Sequence, residues 1–238
     1  MTKIDVSFDS ETWGTEPGCD IRSIGACLFY PKDGLICHDG TNAHVGWHAP
    51  FYQALYNPVL EQDPTISIER TYPLTRDPNT VQWWSEQSAE AQAAFTDPME
   101  LRQGLILFGG WLRGLSGDTY DPADHDRRFP DDRNLWSHGS AFDPPIIAAA
   151  YRACGLPVPW HYRAPRDTRT CFDMAGVDDH SAWLALTPGP LGIPHHALDD
   201  AICQARAVCA AYRRLEDRMA QEYNEGVMSA DFGGDYQP

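Results

Sequence analysis

The sequence is poor in positive charge: Lys and Arg total 18 against 34 Asp and Glu, a formal net charge of -16. That balance excludes a protein that grips long nucleic acid over a broad basic face, because such binding rests on Lys and Arg displacing counterions from phosphates. Paired cysteine motifs are missing too. Cys19, Cys27, Cys37, Cys154, Cys171, Cys203 and Cys209 are odd in number, scattered and without any C-x-x-C spacing, so they read as reduced, mostly buried thiols. The opening MTKIDVSFDSETWG has no long apolar run and carries charge within its first five residues. Neither a secretory signal nor a membrane span is expected there, and the expected address is cytoplasmic. No internal repeat is found. What is present suits a packed core: 42% of the 238 residues are hydrophobic and 22% charged, enough for one domain of the larger sort.

Ile4 to Asp9 alternate apolar and polar, which predicts a strand with Ile4, Val6 and Phe8 on one side and Asp5, Ser7 and Asp9 on the other. Ile24 to Tyr30 predicts a second strand, and Pro31-Lys32-Asp33-Gly34 supplies a turn that folds Leu35 to Cys37 back as a third. Asp77-Pro78 signals a helix over roughly Val81 to Phe95, and Asp97-Pro98-Met99-Glu100 starts another, with Leu101, Leu105, Phe108, Leu112 and Leu115 at helical spacing. Asn134 to Ser137 reads as a short strand, Asp143-Pro144 opens a helix that stops at Gly155, and Arg169 to Phe172 reads as a further strand. The longest helix runs from His196 to about Tyr223. An antiparallel meander followed by alternating helices and strands describes an α/β domain with a mixed sheet. The expected organisation is one domain over 1–225, with aperiodic stretches at about 38–74 and 116–133 and a flexible tail over 226–238.

Asp9 and Glu11 stand two apart at the end of the first strand. Their side chains leave on one face, roughly 6.6 Å apart along the strand, so both can reach one ion. Hard oxygen donors suit Mg²⁺ or Mn²⁺. Taken alone, a D-x-E triplet in so acidic a chain is more often a solvated strand end. Asp143 has an ordinary reading as a helix N-cap, since Asp77, Asp97 and Asp121 also precede proline. It differs in lying just beyond a strand end, where open α/β sheets gather ligands. In PHHALDDA, Pro194 leaves His195 in the approach loop and Asp200 in the first turns of the helix. The helix wheel does not choose between Asp199 and Asp200. Asp200 shares its flank with Ala197, Ala207 and Ala211, whereas Asp199 shares one with Arg206 and Arg213 and looks solvated.

Taken in order, FDSETWG, HGSAFDPPII and HHALDDA resemble the three motifs of the DEDDh 3′-to-5′ exonucleases of the RNase H-like superfamily, which include proofreading subunits and RNase T. TVQWWSEQSAEAQAAF and AFDPPIIAAAYRACGLPVPWHYRAPRDTRT further resemble a bacterial and phage branch of short 3′-to-5′ exoribonuclease-like proteins, and the likeness extends from Ile4 to about Arg214. The resemblance implies an RNase H-like mixed five-stranded sheet, an antiparallel meander and then parallel strands, flanked by helices. It implies that Asp9, Glu11, Asp143 and Asp200 hold two divalent ions, Mg²⁺ or Mn²⁺, with His195 as general base. Two such ions, about 3.5 to 4 Å apart, clamp the attacking and leaving oxygens of an in-line displacement. The stretches at 38–74 and 116–133 exceed the linkers of compact family members and are expected to shape the substrate entrance.

Thr12, Trp13 and Gly14, inside and just after the first motif, are the candidate nucleotide contacts, with Trp13 stacking on a terminal base. Trp84 reads as core. Cys37, His38, His44 and His48 superficially suggest zinc, but the paired spacing of zinc sites is absent. Arg163, Arg166 and Arg169 either meet phosphates or pair with Asp167 and Asp173, and pairing is favoured for each. The expected function is metal-dependent removal of nucleoside 5′-monophosphates from the 3′ end of single-stranded or 3′-overhanging RNA or DNA. Two rivals stand beside it: an oligoribonuclease-like phosphodiesterase of small nucleotides, and a non-catalytic nucleic-acid-binding or assembly protein on the same fold. Against the latter, all five catalytic positions are filled. The choice between RNA and DNA stays open, as does self-association.

Overall fold

The computed structural model describes residues 3–37, 49–61, 68–70, 72–114, 133–177 and 192–231. Strands β1 (Asp5–Thr12), β2 (Ile21–Tyr30) and β3 (Leu35–Cys37) form the expected antiparallel meander, with Gly34 in the left-handed region (φ 68°) at the second turn. Strand β4 (Phe51–Tyr56) pairs antiparallel with β2 along Ser23 to Ala26, while β3 takes the same edge along Leu28 to Tyr30. A small ladder follows, β5 (Val59–Glu61) with β6 (Ile68–Arg70). Strand β7 (Met99–Glu100) adds parallel to β4, and β8 (Leu135–Ser137) adds parallel to β1 and to β9 (Pro165–Asp167). The sheet is mixed, in the order β7-β4-β2-β1-β8-β9 with β3 beside β2, seven strands among the described residues where five were expected.

Part of that difference is β4, which falls in a stretch read as aperiodic. Both of its faces are covered: Phe51 lies 5.2 Å from the Phe108 ring on one side, and Tyr52 stacks on His196 at 4.3 Å on the other. A strand covered twice shows no clean alternation. The helices are α1 (Pro78–Ser85), α2 (Ala89–Ala93), α3 (Leu101–Gly114), α4 (Asp143–Ala153), α5 (Thr168–Met174) and α6 (Ala197–Asp231). One helix was expected across α1 and α2. It breaks because the Ser88 side chain accepts the Ala91 N–H and caps a new start. Arg169 to Phe172 is helix rather than strand, since Asp167 caps α5 through the Arg169 N–H at 2.9 Å and the strand ends just upstream. Helix α6 runs past Asn224 through the stretch expected to fray, with Gln221 and Glu225 joined one turn apart at 2.9 Å. Residues 38–48 and 115–132, most of the remaining aperiodic sequence, lie outside the described residues, as do 232–238.

The sheet is packed on both faces. Val6, Phe8, Ile24, Leu105, Phe108 and Ile147 belong to a core beneath α3 and α4. Cys27, Phe29, Trp136, Phe172, Ala205 and Val208 belong to a second, beneath α5 and α6. One glycine sets how closely α6 approaches. Gly25 is paired across the strands with Asp9, and a Cβ built on it would lie 2.1 Å from the Leu198 nitrogen and 2.4 Å from its Cα. Backbone therefore rests on backbone where the helix begins. Replacing Gly25 with Ala should lower stability by about 1–3 kcal/mol, since overpacking here cannot be relieved by a side-chain rotation. Denaturant titration checks this, and an unchanged midpoint would show that the helix start yields.

Candidate active site

Asp9 and Glu11 project from one face of β1 just before the register shift at Glu11/Thr12. The Asp9 Oδ1 accepts a 2.8 Å bond from the Nε2 of Gln204, one turn beyond Asp200 on α6. Asp143 is the first residue of α4 and not its cap. Phe142 occupies the cap position and makes no side-chain capping bond. The Asp143 carboxylate, 2% exposed, instead accepts from the Ser10 N–H at 3.1 Å and the Ser10 hydroxyl at 2.7 Å. Strand β1 and helix α4 are thus tied together beside Asp9.

His195 has a left-handed backbone (φ 62°), uncommon for a residue with a side chain, and its N–H donates to the Asp200 Oδ2 at 3.0 Å. Its ring meets Trp83 edge-on at 4.8 Å. Glu11, His195 and Asp200 each offer a ligand atom within 4.8 Å of the others. Asp9, Glu11, Asp143, His195 and Asp200 together line one cavity of about 520 Å³. A neighbouring cavity of about 500 Å³, lined by Thr12, Gly14, Asp77, Asn79, Trp83 and Trp84, shares Ser10, Glu11 and Phe142 with it.

Residues 5–212 match the family described as the 3′-5′ exoribonuclease Rv2179c-like domain. The chain belongs to the Rv2179c-like 3′-5′ exoribonuclease family. It therefore carries a 3′-5′ exonuclease domain, a hydrolase that acts on nucleic acid. A solved structure described as "3'-end specific recognition of histone mRNA stem-loop by 3'-exonuclease" is similar over 91% of this chain and 84% of its own, at 15% identity and a TM-score of 0.47. No curated protein matches the chain in sequence.

Within this exoribonuclease fold the acids are far from their ordinary protonation range. Burial pushes Asp9 up to about 6, against the lowering effect of the Gln204 bond. Burial, and then the charge on Asp9, push Asp200 up to about 8. Glu11 and Asp143 lie well above the usual carboxylate range, first from burial and then from neighbouring carboxylates, and Arg22 offsets part of this for Glu11. Burial lowers His195, which favours its neutral imidazole. Four crowded acids with raised values, all hard oxygen donors, form a set that a divalent cation would complete, and family members generally use such ions.

Several expectations need correction. Trp13 does not line either cavity: its ring sits between the guanidinium groups of Arg22 (5.1 Å) and Arg76 (4.6 Å) and against Trp84. The exposed tryptophan at the site is Trp83, in the last turn of α1; read as lying at a helix start, such an aromatic looks like core from sequence alone. Trp84 is core as expected, and its Nε1 donates to the Thr12 carbonyl at 2.9 Å. Thr12 and Gly14 do line the second cavity, the Thr12 hydroxyl donating to the Gly14 carbonyl. Asp199 is not merely solvated, since it accepts the Ile193 N–H at 2.8 Å and holds the loop before His195. His196 stacks on Tyr52 with its Nδ1 3.6 Å from the Asp199 carboxylate, and it does not line the acidic cavity. Arg163 lies over the Tyr162 ring and Arg166 donates to the carbonyls of Arg163, Ala164 and Pro165, so neither pairs with Asp167 or Asp173. Arg169 lines the acidic cavity. His38, His44 and His48 lie outside the described residues. Gln204 and Ser10 were missed. The one available signal was Gln204 at i+4 from Asp200 on a flank otherwise made of alanines.

A carboxyl raised on folding adds stability that is full below its unfolded value near 4 and lost as pH rises through the folded value. Between pH 5 and pH 8 the cation-free protein should therefore lose thermal stability as Asp9 and then Asp200 ionise. Added Mn²⁺ should restore more of the melting temperature at pH 8 than at pH 5.5. Melting curves with chelator and with Mn²⁺ check both, and curves that respond to neither pH nor cation would contradict the electrostatics.

Proposed function

We propose that the chain is a DEDDh-type, divalent-metal-dependent exoribonuclease that shortens single-stranded or 3′-overhanging RNA from its 3′ end and releases nucleoside 5′-monophosphates. The observation that carries this reading is the meeting of Asp9 and Glu11 from β1, Asp143 from α4, and His195 and Asp200 from the start of α6 on one cavity. RNA is preferred because the family description specifies it. The acidic chain favours a strand end over a long duplex, since gripping an end needs few phosphate contacts. Cys19, Cys27, Cys154, Cys171, Cys203 and Cys209 are buried thiols outside any disulfide, which fits a reducing cytoplasm.

Asp9, Glu11, Asp143 and Asp200 would hold two divalent cations, which when bound supply positive charge at the attacking and leaving oxygens. The residues of the chain do the rest. Ser10 and Gln204 fix the Asp143 and Asp9 carboxylates. The neutral imidazole of His195, steadied by the edge of Trp83, takes a proton from the attacking water. Trp83, 40% exposed, offers its ring to the terminal nucleoside in the second cavity, beside the polar side chains of Asn79 and Thr80.

Asp9→Ala should abolish turnover of an RNA oligomer and weaken Mn²⁺ binding measured by calorimetry. His195→Ala should cut turnover by about 10² to 10⁴ while leaving Mn²⁺ affinity largely intact. Equal loss of metal binding would make His195 a ligand and not the base. Matched RNA and DNA oligomers labelled at either end report polarity and sugar preference. Degradation from the 5′ end, or none at all, would overturn the reading.

A further inference from the structure

We propose that Arg169 binds the phosphate on the 5′ side of the scissile linkage, and so makes the enzyme select strands longer than a simple dinucleotide. This rests on the exonuclease reading above. Among the described residues lining the acidic cavity, Arg169 is the one Arg or Lys. Among the described residues no acid holds its guanidinium. Asp167, the nearest in sequence, accepts the Ser140 N–H at 2.8 Å and the Ser140 hydroxyl at 3.2 Å with one oxygen, and the backbone N–H of Arg169 at 2.9 Å with the other.

Its place is built. Gly139 (φ 118°), in the turn between β8 and α4, has no side chain, and a Cβ there would lie 3.5 Å from a guanidinium nitrogen and 3.7 Å from Cζ. The guanidinium thus lies along a bare glycine in a loop that the Ser140–Asp167 bonds pin to the end of β9. Polarity follows from the two cavities, which meet at Ser10, Glu11 and Phe142. With the terminal nucleoside against Trp83 and the scissile phosphate at the carboxylates, the retained strand enters the cavity that Arg169 lines. A guanidinium suits a phosphate there, because its planar fork matches two phosphate oxygens.

The test compares full-length wild type with Arg169→Ala and Arg169→Lys on three substrates with Mn²⁺: NpN, which has only the scissile phosphate, pNpN and NpNpN. A fluorescent RNA hexamer in Ca²⁺ reports binding alone. Arg169→Ala should raise KM on pNpN and NpNpN roughly tenfold to a hundredfold and weaken hexamer binding to a similar degree, leaving NpN unchanged. Arg169→Lys should recover part of the loss. Equal loss on all three substrates, or unchanged KM on NpNpN with unchanged hexamer binding, overturns the proposal. Loss on pNpN alone would assign the site to a 5′-terminal phosphate and overturn the internal assignment. A wild type that hydrolyses nothing, yet whose hexamer binding falls tenfold or more in Arg169→Ala, would reject the nuclease reading and leave the phosphate contact standing.

Discussion

The close seating of α6 on β2 is the constraint on which the site depends. Gly25 sits opposite Asp9 in the sheet, and the backbone of Leu198 occupies the space its side chain would fill. Ala197, Ala201 and Ala205, all fully buried, continue the same close contact along the helix. Because the helix begins against the strand, Gln204 reaches Asp9 and Asp200 comes to within ligand distance of Glu11. The loop before the helix then turns His195 back over the same point through its bond to Asp200.

Two acids on one face of β1 show how differently a buried carboxylate can be treated. Asp5 accepts from the Asn134 backbone, the Asn134 amide and the Trp136 indole at 2.9 to 3.1 Å, and so ties β1 to β8. Asp9, four residues on, has the Gln204 amide and the company of three more acids. The first is satisfied by the protein itself. The second is left with charge that the fold does not neutralise, and an uncompensated group of that kind costs stability unless something else binds. Stability and chemistry are therefore separated along a single strand.

The sequence carried much of the site because its acids occupy positions that local pattern marks: alternate places on an edge of apolar periodicity, the residue before a proline at a helix start, and the approach to a long helix. The ordering of those three segments added what no single motif supplies. What stayed hidden depends on long-range packing. Strand β4 has side chains covered on both faces and so lacks alternation. Arg169 to Phe172 is too short for periodicity to separate helix from strand, and the deciding contact is a cap from Asp167. Trp13 and Trp83 are chemically alike, and only the placement of Arg22 and Arg76 around the first leaves the second open to a ligand.

Helix α6 is largely buried up to Tyr212 and, apart from the half-buried Leu215, exposed from Arg213 to Glu225, and the family match ends at residue 212. The outer part nevertheless remains one continuous rod with the turn that bears Asp200. The α6 residues that line the acidic cavity all lie on the inner half. A change in the direction of the outer half is therefore carried along a single helix axis to the turn that lines the cavity.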